Sequence, residues 1–233
     1  MPQIPFHVLF EDNHLLAVVK PAGLPTMGVE AGRTSLVTLA KDYLKVKYGK
    51  PGNVYLGVVS RLDAAASGVI VFARTSKAAA RLTDLFRRGD VQKTYWALVD
   101  GRPEPPEDSC VDWLVKDEQL MKMVVCAAHQ AGAQEARLRY RTLRRLPRAT
   151  LLEVRLETGR KHQIRVQLAH RGHPVLGDRK YGGTADFPHG VALHSRQLEL
   201  EHPVRKTPLR FEAPLPAAWR AYGIDEPPPG RVP

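Results

Sequence analysis

The chain is poor in cysteine, in acids and in long apolar runs, and each shortage excludes something. Its two cysteines, Cys110 and Cys126, form neither a metal-binding spacing nor a disulfide framework, which argues against a zinc module or a stapled secreted domain. Reduced thiols and a cytoplasmic location are expected. No stretch approaches the roughly 18 consecutive apolar residues of a spanning helix, so no membrane partner is expected. The opening residues MPQIPFHVLFED lack the basic start and apolar core of a signal peptide. Acids number 24 against 35 lysines and arginines, giving a formal net charge of +11. A chain this basic meets a polyanion, and without a membrane signal the leading polyanion is nucleic acid. A basic surface serving solubility alone is the plain alternative.

Hydrophobic residues make up 43% of the 233 positions, enough for one large core. Apolar runs at 8–10 and 15–19, split by Asp12 and Asn13, predict a strand pair. Residues 34–49 read as a helix capped by Thr34 or Ser35 and stopped by Gly49. Strands are predicted at 54–59 and 68–74. A second helix follows over 76–89, with Ser76 as cap and Gly89 beyond the last turn. Further strands are read at 93–101, near 111–116, 121–126, 134–143 and 150–156, and in two late runs, ALHSRQLELEHP and PLRFEAP. Residues 159–172 read as a helix. Strands outnumber helices and short turns join many of them. The expected class is α+β, with a mixed, mostly antiparallel central sheet flanked by helices. One domain over 1–222 is expected, with a loose tail at 223–233; the proline-rich loop 102–108 is an excursion within it.

Four stretches place polar groups in apolar settings. The first is VVSRLDAAASGVIVFAR at 58–74. Asp63 stands at the mouth of a buried-strand pattern, with Arg61 two residues before it. A turn salt bridge is the ordinary reading, but the small residues 64–68 leave room for something to approach the acid. The second is QKTYWALVDG at 92–101, where Lys93, Tyr95, Ala97 and Val99 share one strand face and Trp96 takes the other, assigned to the core. Tyr95 is a core-edge aromatic or a platform for a base.

The third stretch, at 157–182, crowds Arg160, Lys161, His162, Arg165, Arg171, Arg179 and Lys180 together, with Asp178 the only acid after Glu157. On a helix, Lys161 and Arg165 would share a face, giving a solvated cationic surface or a phosphate-binding one. His170 and His173 suggest no metal, because no nearby Cys or Glu completes a set. The fourth stretch, RLRYRTLRRLPR at 137–148, has six arginines including Arg144 and Arg145, and no acid occurs from 136 through 152. It is a charge-protected strand edge or an RNA contact, with equal weight.

Together these stretches resemble the RluA-type RNA pseudouridine synthases. The family's HRLD and TSG pattern appears as SRLDAAASG, its K-x-Y-x-A strand as KTYWAL, and its TGR-x-HQIR segment as TGRKHQIRVQLAHRGHPVLGD, preceded by an opening KPAGLP. Three fragments in order, spread over most of the chain, make a specific match. Ser60 stands where the family has His, and Ala66 where it has Thr. The resemblance implies a catalytic domain that isomerises uridine to pseudouridine in structured RNA, ribosomal RNA before transfer RNA, as a monomer and without an S4-type domain before it. The reaction changes no oxidation state and requires no cofactor or metal. Asp63 is implied as the catalytic carboxylate, Arg165 as the cation that holds it ionised and oriented, and Tyr95 as the ring that stacks on the base and assists proton removal. Arg61 is implied to expel the uridine from its stack. Lys93, Arg160, His162, Arg144 and Arg145 are assigned to substrate binding.

Two rivals remain at this level. A non-catalytic RNA-binding protein that kept the fold would need no acid facing phosphates. A metal-dependent nuclease would need clustered carboxylates, which the basic segments lack.

Overall fold

The computed structural model describes residues 4–28 and 34–225. Most of the tail expected to be loose lies outside the described residues. Within its described start, Ile224 is buried in the main core.

The apolar run after Asp63 becomes β4 (Ser67–Ala73), buried at every position. β2 (Leu15–Lys20) pairs with it in antiparallel register, and β1 (His7–Glu11) pairs with β2. Only Gly57–Val58 of the run predicted at 54–59 forms a strand, β3, also paired with β4. Val54 and Leu56 instead pack beneath α1 (Leu36–Lys47), in a core with Leu36, Leu44, Ile70 and Phe72. Ser35 caps α1 by accepting the Thr38 N–H. The cap of α2 (Ser76–Arg88) is Thr75 rather than Ser76, because the Thr75 hydroxyl reaches the Ala78 N–H at 3.2 Å. Gly89 ends α2 in the left-handed conformation, φ 82°.

The second half builds the rest of the sheet from β5 (Gln92–Asp100), β6 (Glu107–Asp117), β7 (Lys122–Cys126), β8 (Gln134–Arg145), β9 (Ala149–Leu156), β10 (Leu193–Glu201) and β11 (Pro208–Glu212). The strand order is β1-β2-β4-β10-β5-β9-β8-β6-β7, with β3 on β4 and β11 on β10. Every pairing is antiparallel except β4 with β10, which is parallel and spans only His194↔Ser67 and Ser195↔Gly68. The expected α+β class holds. Among the described residues no helix is long and apolar enough to cross a membrane.

The helix expected at 159–172 is shorter and far drier than its charges suggest. α3 (Gln163–His170) is buried from Gln163 through Leu168. Lys161 lies in the turn before it, so Lys161 and Arg165 do not share a cationic face. Ile164 and Leu168 enter the main core with Leu152, Val154 and Leu193. Trp96 also departs from expectation. It packs against the main core but is only half-buried, with the Arg196 guanidinium 5.2 Å from its ring centre. The fully buried tryptophan is Trp219.

Candidate active site

Asp63 sits in the loop that joins β3 to β4, and backbone bonds clamp that loop. The Leu62 carbonyl accepts from the Thr26 hydroxyl at 2.9 Å. The Ala64 carbonyl accepts from the Gly23 N–H at 2.8 Å and from Lys20 Nζ at 3.1 Å. The Ala65 carbonyl accepts from the Val191 N–H at 3.1 Å. A Cβ at Gly68, φ 117°, would run into the Ser195 backbone. The sequence reading gave the small residues after Asp63 to an approaching ligand. In the structure Ala66 is buried in the core, and Gly68 admits the protein's own β10.

One guanidinium orients the acid. Arg165 Nη1 donates to Asp63 Oδ2 at 3.0 Å. Its other edge donates to Asp178, Nε to Oδ2 at 2.6 Å and Nη2 to Oδ1 at 2.8 Å. The Tyr181 ring lies 5.1 Å from the guanidinium carbon. Burial works against charge on Arg165, but Asp178 and then Asp63 more than offset it, and its pKa is raised. α3 supplies this arginine from a buried turn, so its position is fixed by core packing rather than by solvent-exposed side-chain contacts.

His162 stands on the other side of the acid, Nε2 to Oδ1 3.8 Å. Burial pushes its imidazole pKa down while the Asp63 charge pulls it up; the net direction is down. Lys20 is fully buried. Its ammonium donates to the carbonyls of Pro21, Leu24 and Ala64. Burial lowers its pKa to about 7, opposed by the charge of Asp63. Tyr95 lies opposite Ser195 in the β5–β10 register. Burial pushes its phenol up to about 12, against the hydrogen bond with the Ser195 side chain, and Asp63 adds to the rise. Tyr95 is therefore a protonated phenol at neutral pH, a donor rather than a ready base.

A cleft of about 810 Å³ opens before the acid, lined by Asp63, Arg61, Lys93, Tyr95, Arg160 and His162. That volume falls in the range of about 300–1,000 Å³ typical of ligand clefts. Sequence positions far apart thus converge on one opening, with Arg165 and Asp178 behind it. Arg144 and Arg145 are elsewhere. Arg144 Nη1 donates to the Gly223 carbonyl at 2.7 Å, and Arg145 Nη2 meets Glu104 at 2.5 Å. Their neighbours in β8 are also paired, Arg139 with Glu157 and Arg141 with Glu153. The acids missing from 136–152 in sequence arrive from adjoining segments in space.

Several residues around the opening went unassigned in the sequence. Asp178 had one visible signal, its isolation among basic residues. Lys20 had its place in KPAGLP. Ser195 carried none. Arg87 and Arg88, in the last turn of α2, line the cleft as well; the helix reading identified their element but not what it faces.

Residues 14–170 match the family model described as RNA pseudouridylate synthase. The chain is 37% identical over 232 residues to the ribosomal large subunit pseudouridine synthase D of Xanthomonas campestris pv. campestris, covering 91% of this chain and 67% of that protein. It is 34% identical over 214 residues to an uncharacterised RNA pseudouridine synthase of Bacillus subtilis, covering 90% and 68%. The chain thus spans about two thirds of the length of these relatives. Among solved structures, Human RNA Pseudouridylate Synthase Domain Containing 4 superposes with a TM-score of 0.79 at 26% identity, covering 95% of each chain. With sequence and fold in agreement over nearly the whole chain, the protein belongs to the RNA pseudouridylate synthase family, of the RluA type, the isomerases that convert uridine in RNA to pseudouridine.

Proposed function

We propose that Asp63 is the reacting carboxylate of this isomerase and that the cleft takes a uridine turned out of its stack. The observation that carries the reading is the Asp63–Arg165 contact of 3.0 Å at the rim of a basic cleft. The reaction breaks the N1–C1′ bond, rotates the base and joins C5 to C1′. The C5 proton is lost and N1 gains one, so atoms and electrons balance without a co-reactant. One carboxylate held by one cation suffices as nucleophile or base at the sugar.

Arg61 is exposed at the cleft mouth, where a guanidinium can take the space that the extruded uridine leaves. The Tyr95 ring offers the base a stacking face, and its phenol donates. Lys93, Arg160, Arg87 and Arg88 supply cations for the backbone phosphates. Ribosomal RNA is the favoured substrate over transfer RNA, supported by relatives named ribosomal large subunit pseudouridine synthase D.

The test is a map of pseudouridines across total RNA with and without the gene, followed by purified wild-type and Asp63→Asn protein on the RNA so found. One or more sites should vanish with the gene, and Asp63→Asn should bind RNA without isomerising it. Substantial turnover by Asp63→Asn removes the carboxylate from the mechanism. RNA binding by the wild type without any product would favour a binding protein on this fold.

A further inference from the structure

His162 faces Asp63 across a gap that neither side chain closes. The 3.8 Å between Nε2 and Oδ1 exceeds hydrogen-bond range. The imidazole is fixed from behind. Its Nδ1 lies 2.8 Å from the Tyr181 hydroxyl, and the two rings meet edge to face at 5.7 Å and 86°. That hydroxyl accepts the Met123 backbone N–H at 3.1 Å. The hydroxyl can then donate its own hydrogen to Nδ1, and this tautomer, with the ring hydrogen on Nε2, is the one that faces the Asp63 carboxylate with a donor instead of a lone pair. Burial favours the neutral imidazole. A single N–H donor thus stands opposite a carboxylate, which when ionised only accepts.

The backbone singles out the same residue. His162 has φ 56°, in the left-handed region, where a residue other than glycine is uncommon. It precedes α3, yet its side chain makes no capping bond. Gln163 organises that turn instead, its Oε1 accepting the Arg160 N–H at 3.0 Å. The unusual conformation is not repaid by a cap; it directs the imidazole toward the cleft.

A donor and an acceptor 3.8 Å apart select what can lie between them. The atom must accept from one and donate to the other, at about 2.8 Å from each. A carbonyl oxygen only accepts, whereas a hydroxyl does both. In uridine, the hydroxyl next to the reacting C1′ is the ribose 2′-OH. We propose that His162 Nε2–H and Asp63 Oδ1 together bind the 2′-hydroxyl of the target uridine, and that this contact selects ribose over deoxyribose at that position. The assignment rests on Asp63 being the reacting carboxylate. His162 is the specificity-determining residue, and Tyr181 positions it.

The test uses two synthetic RNA hairpins spanning the uridine found by mapping, one with uridine and one with 2′-deoxyuridine at that position. Half-saturation in single turnover is measured for the first, and the inhibition constant of the second against it. Wild type should prefer the uridine hairpin by on the order of tenfold. His162→Phe should bring that ratio near one. His162→Gln, whose amide N–H can stand in for Nε2–H, should restore it; this rescue separates a donor role from mere packing. If His162→Phe does not fold, His162→Asn, with an amide too short to reach, takes its place. Equal binding of both hairpins by the wild type overturns the contact, as does discrimination that survives His162→Phe. Product formation without discrimination defeats this inference alone. Absence of any product defeats the proposed function and this inference with it.

Discussion

Asp63 and Asp178 hold the same guanidinium from two sides. Asp178 is 1% exposed and Arg165 6%, so the pair behind the acid is a buried one. Asp178→Asn keeps shape and removes the charge. Its cost in stability should fall below the about 3–5 kcal/mol of an uncompensated buried charge, because Asp63 remains beside Arg165. Turnover should drop on the order of 100-fold if the arginine shifts by about 1 Å, with RNA affinity little changed. Thermal melts and single-turnover rates check both effects. Arg165→Met should be more damaging, and near-normal turnover of that variant would detach Arg165 from the site.

Tyr95 and the tryptophans separate binding from stability. Tyr95→Phe keeps the ring and should bind RNA normally while forming product slowly. Tyr95→Ala should also lose about 1–3 kcal/mol of RNA binding. Trp219 is deeply buried, and Trp219→Ala should cost about 3–5 kcal/mol of stability. Trp96→Ala should cost less, since part of that ring lies under Arg196 rather than in the core. Melting curves and binding isotherms for the four proteins decide it. Early melting of Tyr95→Ala, with the RNA affinity of the folded variant unchanged, would make Tyr95 a core aromatic and remove it from the cleft.

The salt dependence of RNA binding should belong to the cleft. Each phosphate contact contributes a log–log slope of about −0.7 on single strands. Arg87→Ala with Arg88→Ala should flatten the slope by about one to two contacts on that scale. Arg144→Ala with Arg145→Ala should leave it unchanged, because those side chains are bonded to Gly223 and Glu104 away from the cleft. Flattening by the second pair would extend the RNA footprint across β8.

Lys20 gives a pH signature. Its pKa is about 7 in the folded protein, against about 10.4 for a free lysine. Between those values the unfolded chain binds the extra proton, so the contribution of Lys20 to stability rises with pH across that window. Below it, both states carry the proton and the full cost of burying the charge is present. Lys20→Met removes this slope and takes the ammonium donor from the carbonyls of Pro21 and Leu24, while Ala64 keeps the Gly23 N–H, a loss of about 1–3 kcal/mol. Melting temperatures from pH 7 to 10 should show the wild type pulling further ahead of the variant; parallel curves would show that Lys20 does not titrate there.

The residues most legible in the sequence were those with local patterns. The β4 run, the α2 stripe and the left-handed Gly89 are decided by neighbours in the chain, and their bounds emerged within a few residues. The α3 segment misled because charge count predicts exposure only when the charges have no partners. Arg165 is buried because Asp178 meets it from 13 positions away and Asp63 from 102. The ion pairs of the β8 arginines were equally hidden, since Glu153 comes from β9 and Glu157 from just past its end. Ser195 carried no signal, and Tyr181, though it follows the TGR-x-HQIR segment, shows no partner in sequence; Tyr95 and His162 reach them only through tertiary structure.

The two-position parallel seam between β4 and β10 has a consequence for how the protein is made. Ser67 and His194, hydrogen-bonded at 2.8 Å, are 127 residues apart. Closing so long a loop is entropically expensive and slow compared with the hairpins on either side. The antiparallel strands β1, β2 and β4 can assemble early, as can β5, β6, β8 and β9, but the Asp63 loop gains the Val191 bond and the β10 contact only after the chain has passed residue 195. A ribosome-bound chain therefore carries the acid without its final support until β10 has been made.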